Sequence, residues 1–141
     1  MILIAAAATL FAAIIASCTA IVLFRRKAIG DAAVIFRDAI NTATAGMPGV
    51  GSYWDGLAVE RMPEFLTNVR VAVGNFSPHL RGERRRSFQR QWHELERHCK
   101  DEIPQALSPA ERIYNNARTQ AAKASFHNHV KKLLAFANKQ A

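Results

Sequence analysis

The chain has 141 residues, and its 19 Lys and Arg against 11 Asp and Glu give a formal net charge of +8 at neutral pH. This length suits one modest hydrophobic core and is too short for two. The two cysteines, Cys18 and Cys99, stand in no C-x-x-C pair, and this usage fits a reducing compartment.

Residues 1–24 form an uncharged stretch without Asp, Glu, Lys, Arg or His. A helix of 24 residues is about 36 Å long. A bilayer core of about 30 Å requires roughly 20 apolar residues. The stretch therefore predicts a single transmembrane helix over residues 1–24, followed by a helical domain over residues 25–141.

Two other interpretations of this stretch stay open. A secretory signal has basic residues before its apolar core, whereas here the apolar residues begin at Met1. The segment 15–18 resembles a lipobox and predicts a lipoprotein lipidated at Cys18. The apolar residues continue to Phe24, beyond the point where a lipoprotein signal would be cleaved.

A basic cluster, Arg25, Arg26 and Lys27, follows the apolar stretch directly. Because Lys and Arg beside a membrane segment tend to stay in the cytoplasm, we predict that the N-terminus lies outside and the C-terminal domain inside. The expected location is a bacterial inner membrane, with the lipid bilayer as one partner.

Small side chains recur every fourth residue in the same stretch, at Ala8, Ala12, Ala16 and Ala20. Small faces let two helix backbones approach closely in lipid. The pattern predicts a homo-oligomer or a membrane-protein partner on this face, although alanine is also simply common in membrane helices.

The rest of the chain predicts an all-α fold, a small helical bundle with helices at about 25–45, 63–76, 81–102 and 109–138. The first ends at the glycine-rich segment 46–52, and Pro63 suits the first position of the second. A proline closes the third helix at Pro104. Residues 108–111, Ser-Pro-Ala-Glu, form a capping box that starts the last.

The third predicted helix has two contrasting faces. Phe88, Trp92, Leu95 and Cys99 follow helical spacing and predict a buried seam. On the opposite side, Arg86, Arg90, Arg97 and Lys100 form a basic face. With residues 25–27 these four are candidate anion-contacting side chains, although ion pairs such as Glu96–Lys100 would also account for a solvated face.

No constellation in the sequence predicts catalysis. His127 and His129 diverge by about 200° on a helix, which argues against a shared metal. The glycines of segment 46–52 follow no strand and have no nearby lysine, so they predict no phosphate loop. We therefore expect no enzyme, no metal and no cofactor.

Several short segments resemble a loose group of short, uncharacterised bacterial proteins with an N-terminal membrane stretch and a basic stop. The matching residues are Phe36-Arg37, then Leu80, Arg86, Phe88 and Trp92, then Leu133-Leu134-Ala135-Phe136-Ala137. The resemblance implies the same helical architecture and a bacterial inner-membrane setting, and it implies no activity.

The sequence supports three functional hypotheses. The leading one is a membrane-anchored, non-enzymatic helical interaction module. The alternative is a peripheral polyanion binder that contacts anionic lipid or nucleic acid. We expect no nucleic-acid readout, because Phe88 and Trp92 belong to the buried seam and leave no aromatic platform on the basic face. The third is the lipoprotein.

Overall fold

The computed structural model describes residues 2–49, 54, 56–107 and 117–138, with side chains placed from Ser17 onward except at 56–57. Within these residues the chain is helical and contains no strand, which confirms the all-α prediction. The elements in order are α1 (Ile2–Ala45), α2 (Gly56–Phe76), a 3₁₀ turn (Ser77–His79), α3 (Gly82–Arg97), a π-helical turn (His98–Glu102), α4 (Ile103–Ala106) and α5 (Ala117–Asn138).

A cluster of four phenylalanines joins the helices at one end of the core. The ring of Phe88 on α3 lies 5.5 Å from Phe36 on α1, 5.5 Å from Phe76 on α2 and 5.4 Å from Phe136 on α5. Phe36 and Phe76 stack at 4.7 Å. Since each ring comes from a different helix, this cluster fixes the relative positions of all four.

A second aromatic cluster closes the other end. Trp54, in the segment between α1 and α2, lies 5.3 Å from Phe126 on α5, and Phe65 on α2 lies 5.2 Å from the same ring. The indole Nε1 of Trp54 donates to the carbonyl of Gly49 at 3.2 Å. Trp54 is thus a core residue. The sequence did not predict its burial, because no helical spacing of apolar residues extends across this segment.

The predicted membrane anchor, and with it the single-pass inner-membrane location with an outside N-terminus, is wrong. No helix in the described part of the chain is long and apolar enough to cross a membrane. α1 runs on from the apolar stretch to Ala45, and it carries charged side chains from Arg25 to Asp38. The apolar stretch and the helix predicted at about 25–45 form one continuous helix.

α2 begins earlier than predicted and contains Pro63 in its interior. A proline there removes one backbone hydrogen bond and costs about 3 kcal/mol. Side chains before and after it nevertheless share one buried face, because Ala58 and Met62 precede it and Leu66 follows it at steps of four. The burial of this continuous face offsets the local cost, so the prediction that α2 starts at Pro63 is wrong.

The third predicted helix continues past its expected end. Gly82 opens α3 with a φ of 51°, a left-handed conformation that glycine adopts without steric cost. At the other end, the chain passes through the π-helical turn into α4, so Pro104 does not stop it. A π-helical turn shifts the backbone hydrogen bonds by one residue. This shift lies directly before Pro104, which has no backbone N–H to donate in a regular helix.

The last helix buries one face at steps of three and four residues. Phe126, Val130, Leu133 and Ala137 are buried along α5, and Leu134 beside them is half-buried. The expected start at Pro109 and the capping box at 108–111 lie outside the described residues, whereas the expected end near Asn138 agrees with α5. The seam of α3 is also confirmed, because Phe88, Trp92 and Leu95 are buried.

Candidate functional site

The N-terminal half of α1 extends beyond the core. From Ser17 to Arg26 every described side chain is exposed, and Phe24 is 76% exposed. Among the described side chains of α1, Ala33 is the first that is buried, so the packed part of the described helix begins there. An apolar helix segment that no part of the described chain covers is a candidate interaction surface.

Seven side chains of α1, all exposed or half-buried and all apolar except Ser17, form one continuous stripe that reaches into the bundle. At 100° per residue its members fall within about 80° of arc. We call them the α1 stripe: Ser17, Ile21, Phe24, Ala28, Ala32, Ile35 and Ala39. The buried face of α1, with Phe36 and Ile40, lies about 100° away around the helix. The bundle covers the face of Phe36 and Ile40 and also packs against the half-buried Ala32 and Ala39 of the stripe, whereas Phe24 and Ile35 stay exposed.

The C-terminal half of the stripe borders a groove of about 360 Å³ between α1 and α2. No Asp, Glu, Lys or Arg lines this α1–α2 groove. Ile35 on one rim is 66% exposed and Val71 on the other is 59% exposed. The lining residues are Ala32, Ile35, Phe36, Ala39, Asn68, Val71, Ala72, Asn75, Phe76 and His79.

The basic face lies on α3 and the π-helical turn, where its four predicted members are exposed. Two of them have acidic neighbours: Arg86 lies 3.3 Å from Glu83, and Lys100 lies 2.9 Å from Glu96. Arg90 and Arg97 form no ion pair within the described residues. Arg25, Arg26 and Lys27 lie far along α1 from this face, so the structure does not gather all seven candidates into one site.

Glu96 is the centre of the ion-pair network on this surface. It accepts hydrogen bonds from Lys100 and from Arg70 of α2, and His93 lies 3.7 Å from its carboxylate. The hydrogen bond from Lys100 lowers the pKa of Glu96 below its ordinary value, although partial burial acts in the opposite direction. The network joins α2 to α3 and neutralises part of the positive charge that the sequence places here.

His98 is a fully buried polar side chain at the start of the π-helical turn. Its Nδ1 lies 2.7 Å from Oε2 of Glu102, and its Nε2 lies 2.9 Å from the carbonyl oxygen of Ala122. Both ring nitrogens of His98 are thus engaged with other parts of the chain. This arrangement ties the π-helical turn to α5 and gives His98 a structural role.

The ring of His129 lies 5.3 Å from that of His98. Its Nδ1 is buried and has no hydrogen-bond partner among the described residues. Burial and the neighbouring His98 lower the pKa of His129. His127 points elsewhere, with Nε2 3.3 Å from the carbonyl of Pro48, as the predicted divergence of the two imidazoles requires.

The two cysteines lie in different surroundings. Cys99 is buried, and burial raises the pKa of its thiol to about 12, so it stays protonated at neutral pH. Cys18 is exposed on α1. Within the described residues, no three His, Cys, Asp or Glu side chains come close enough to hold a metal ion.

The predicted small-residue face falls mostly outside what can be described. The side chains of Ala8, Ala12 and Ala16 lie outside the described residues, and Ala20 is exposed on α1. Val34, Ile35 and Val71 were not predicted as surface features. The signal for Ile35 was present, because it repeats the helical spacing of Phe24 and Ala28 but lies off the face that carries Phe36.

Comparison with protein-family models, with curated proteins and with solved structures found no match for this chain. The resemblance to short bacterial membrane-anchored proteins therefore stays a prediction.

Proposed function

We propose that this protein is a non-enzymatic helical interaction module that binds a protein partner through the α1 stripe. The observation that carries the proposal is that three exposed large apolar side chains, Ile21, Phe24 and Ile35, lie in a row that leads into a groove without Asp, Glu, Lys or Arg. Scattered apolar side chains are normal on protein surfaces, but contiguous apolar patches mark interaction sites.

The energetics favour a covered stripe. Complete burial of a Leu, Ile or Phe side chain contributes about 1.5–3 kcal/mol relative to full exposure. Burial of Phe24, Ile35 and Ile21 against a partner helix would together contribute several kcal/mol. The entropic cost of association is subtracted from this contribution. The described chain supplies no covering segment of its own, since the stripe is exposed or half-buried along its whole length.

The polar clusters support a non-enzymatic role. His98 uses both ring nitrogens in structural contacts, and the thiol of Cys99 is protonated and buried. Glu96 is neutralised by basic neighbours on an open surface. None of these groups combines a poised acid or base with a nucleophile beside a pocket, which is the arrangement that catalysis requires.

Photo-crosslinking in cells tests the proposal directly. A photoreactive phenylalanine analogue is placed in the full chain at Phe24 or Ile35, on the stripe, and at Val34 as the matched control. Val34 is also exposed but lies about 120° from the stripe. We expect discrete adducts from positions 24 and 35 and none from position 34. Equal yields at all three positions would refute a specific surface.

A second candidate function, a peripheral polyanion binder, is favoured by the exposed Arg90 and Arg97. These two lie on one face of α3 without a carboxylate partner among the described residues. A basic surface attracts anionic headgroups at about 1 kcal/mol per side chain near the surface. Arg86 extends the same face, although it shares its charge with Glu83.

Co-sedimentation with vesicles separates the two functions. We expect a polyanion binder to pellet with phosphatidylserine vesicles in a salt-sensitive way and to stay in solution with phosphatidylcholine vesicles. Replacing Arg86, Arg90 and Arg97 by Glu should abolish this binding while leaving the fold intact, because all three are exposed. Binding that is equal on both vesicle types would remove this candidate.

A further inference from the structure

We infer that the partner of the α1 stripe is a second copy of this chain, which pairs with it in antiparallel orientation about a two-fold axis at Ala28. This inference rests on the proposed function and names its partner. In the pair, the N-terminal half of each α1 lies against the α1–α2 groove of the other copy. The apolar surface that each chain exposes is thereby covered by an identical surface.

The spacing of the stripe is symmetric about its central residue. From Ser17 to Ala39 the steps are four, three, four, four, three and four. A two-fold axis at Ala28 therefore places every member of the stripe opposite another member. Ile21 faces Ile35 of the second copy, Phe24 faces Ala32, and Ala28 faces its own equivalent. An isologous interface requires this reciprocity, in which residue i meets j and j meets i.

The opposed side chains also fit in size. Phe24, the bulkiest and most exposed member of the stripe, meets the small Ala32, which is half-buried at the edge of the groove. The small Ala28 at the axis lets the two backbones approach closely. Beside this contact, Val71 on the rim of the groove packs against the side of the α1 helix from the second copy. The groove has no Asp, Glu, Lys or Arg side chain that would lose its hydration.

Charges on one flank of α1 support the antiparallel direction. Lys27 and Asp31 lie on the same flank of the stripe, and neither forms an ion pair within the described chain. A two-fold axis at Ala28 brings Lys27 of one copy within two residues, about 3 Å along the axis, of Asp31 of the other. The dimer gains this pair twice. A parallel two-fold pair in register would instead put Lys27 of one copy and Asp31 of the other on opposite flanks of the interface.

The size of the contact predicts a weak dimer. The 23 residues from Ser17 to Ala39 span about 35 Å, and a helix with its side chains is about 10 Å wide. The α1 footprint is therefore on the order of 350 Å² on each copy, to which the α2 rim adds. Because stable interfaces bury about 800 Å² on each partner, we expect a dissociation constant in the micromolar range.

Sedimentation velocity on the full chain over a concentration series tests whether the pair forms. We expect a monomer at low concentration and a dimer mass at tens of micromolar. Ile35→Asp should raise the dissociation constant at least tenfold, because the carboxylate would be buried against Ile21. The matched control Val34→Asp places the same charge on the same helix off the stripe, and it should change the constant less than twofold.

Cysteine crosslinking in a Cys18→Ser background tests the direction. A mixture of Ile21→Cys and Ile35→Cys chains should form disulfide-linked dimers under mild oxidation, whereas neither variant alone should do so. Leu23→Cys is exposed but lies about 140° from the stripe, and it should give no dimer. Efficient crosslinking of Ile21→Cys with itself would overturn the antiparallel pair.

The outcomes also separate this inference from the proposed function. A chain that stays monomeric at all concentrations, but crosslinks to a different protein from position 24, overturns the two-fold pair and leaves the interaction module standing. A monomeric chain with no adduct at positions 24 and 35 overturns both. Equal weakening by Ile35→Asp and Val34→Asp also overturns the pair, because it would show that net charge rather than the stripe controls association.

Discussion

Phe88 should be the most costly single truncation in the core. Its side chain is fully buried, and its ring contacts three other phenylalanines, one from each of α1, α2 and α5. Truncation of a buried Phe to Ala costs about 3–5 kcal/mol. Each aromatic pair contributes about 0.5–1.5 kcal/mol beyond burial, so we expect Phe88→Ala near the top of that range, at about 4–5 kcal/mol.

This loss is large compared with the stability of a protein of this size, which is typically 5–15 kcal/mol. A shift of 1 kcal/mol moves the melting temperature by about 3 °C at this chain length, so the variant should melt roughly 12–15 °C below the parent. Urea unfolding followed by circular dichroism gives the free energy, and the slope with urea shows whether the unfolding stays two-state.

Phe24→Ala is the matched control, because it removes the same atoms from a side chain that is 76% exposed. At dilute protein concentration, where no pair forms, we expect it to change the free energy of unfolding by about 0.5 kcal/mol or less. If the two truncations cost the same, the four-ring cluster does not hold the helices together and the assignment of the core is wrong.

Three further predictions concern the surface network and the rest of the core. Trp92→Ala should cost about 3–5 kcal/mol, since Trp92 is buried in the α3 seam, and thermal unfolding measures it. Glu96→Gln should cost about 0.5–1 kcal/mol at pH 7, because its partners are exposed. Since the pKa of Glu96 is lowered by Lys100 and Arg70, its contribution is present above pH 4.5 and is lost as the pH falls through the folded-state pKa, so parent and variant should converge in acid. The pKa of His129 is lowered by burial, so the unfolded chain binds the extra proton first and the parent should lose stability as the pH falls below about 6.5. His129→Asn should reduce this pH dependence, and an unchanged slope between pH 7 and 5 would contradict the assigned cause.

Much of the bundle could be predicted from residue spacing. The seam of α3 and the buried face of α5 follow directly from apolar side chains at steps of three and four, because a helix buries one stripe at a time. The end of α1 at Ala45 follows from Gly46 and the proline beyond it. Spacing alone could not show that Pro63 and Pro104 lie inside helical segments, since local propensity predicts an end at each proline and only packing on both sides can override it.

The polar contacts between helical elements could not be predicted, because they join residues far apart in sequence. His98 meets the carbonyl of Ala122 only because the π-helical turn and α5 pack together. Arg70 meets Glu96 across α2 and α3 in the same way. Each of these side chains looks like an ordinary solvated residue in its own segment, and no local pattern distinguishes it from its exposed neighbours.

The apolar stretch at the start of α1 shows what hydropathy can and cannot predict. Its composition identifies side chains that avoid water, but it does not identify what covers them, and the predicted bilayer span is not supported by the helices that the structure describes. The distribution of apolar side chains around the axis of α1 gives more detail. A helix that only packs against its own bundle needs one apolar face, whereas α1 carries the face of Phe36 and Ile40 and also the stripe through Phe24 and Ile35. The second face continues from the exposed half of α1 to the edge of the α1–α2 groove. The partner that we propose would therefore contact the exposed half and the groove together. A second α1 in antiparallel orientation is long enough to do so, and the symmetric spacing about Ala28 gives it a matching set of side chains.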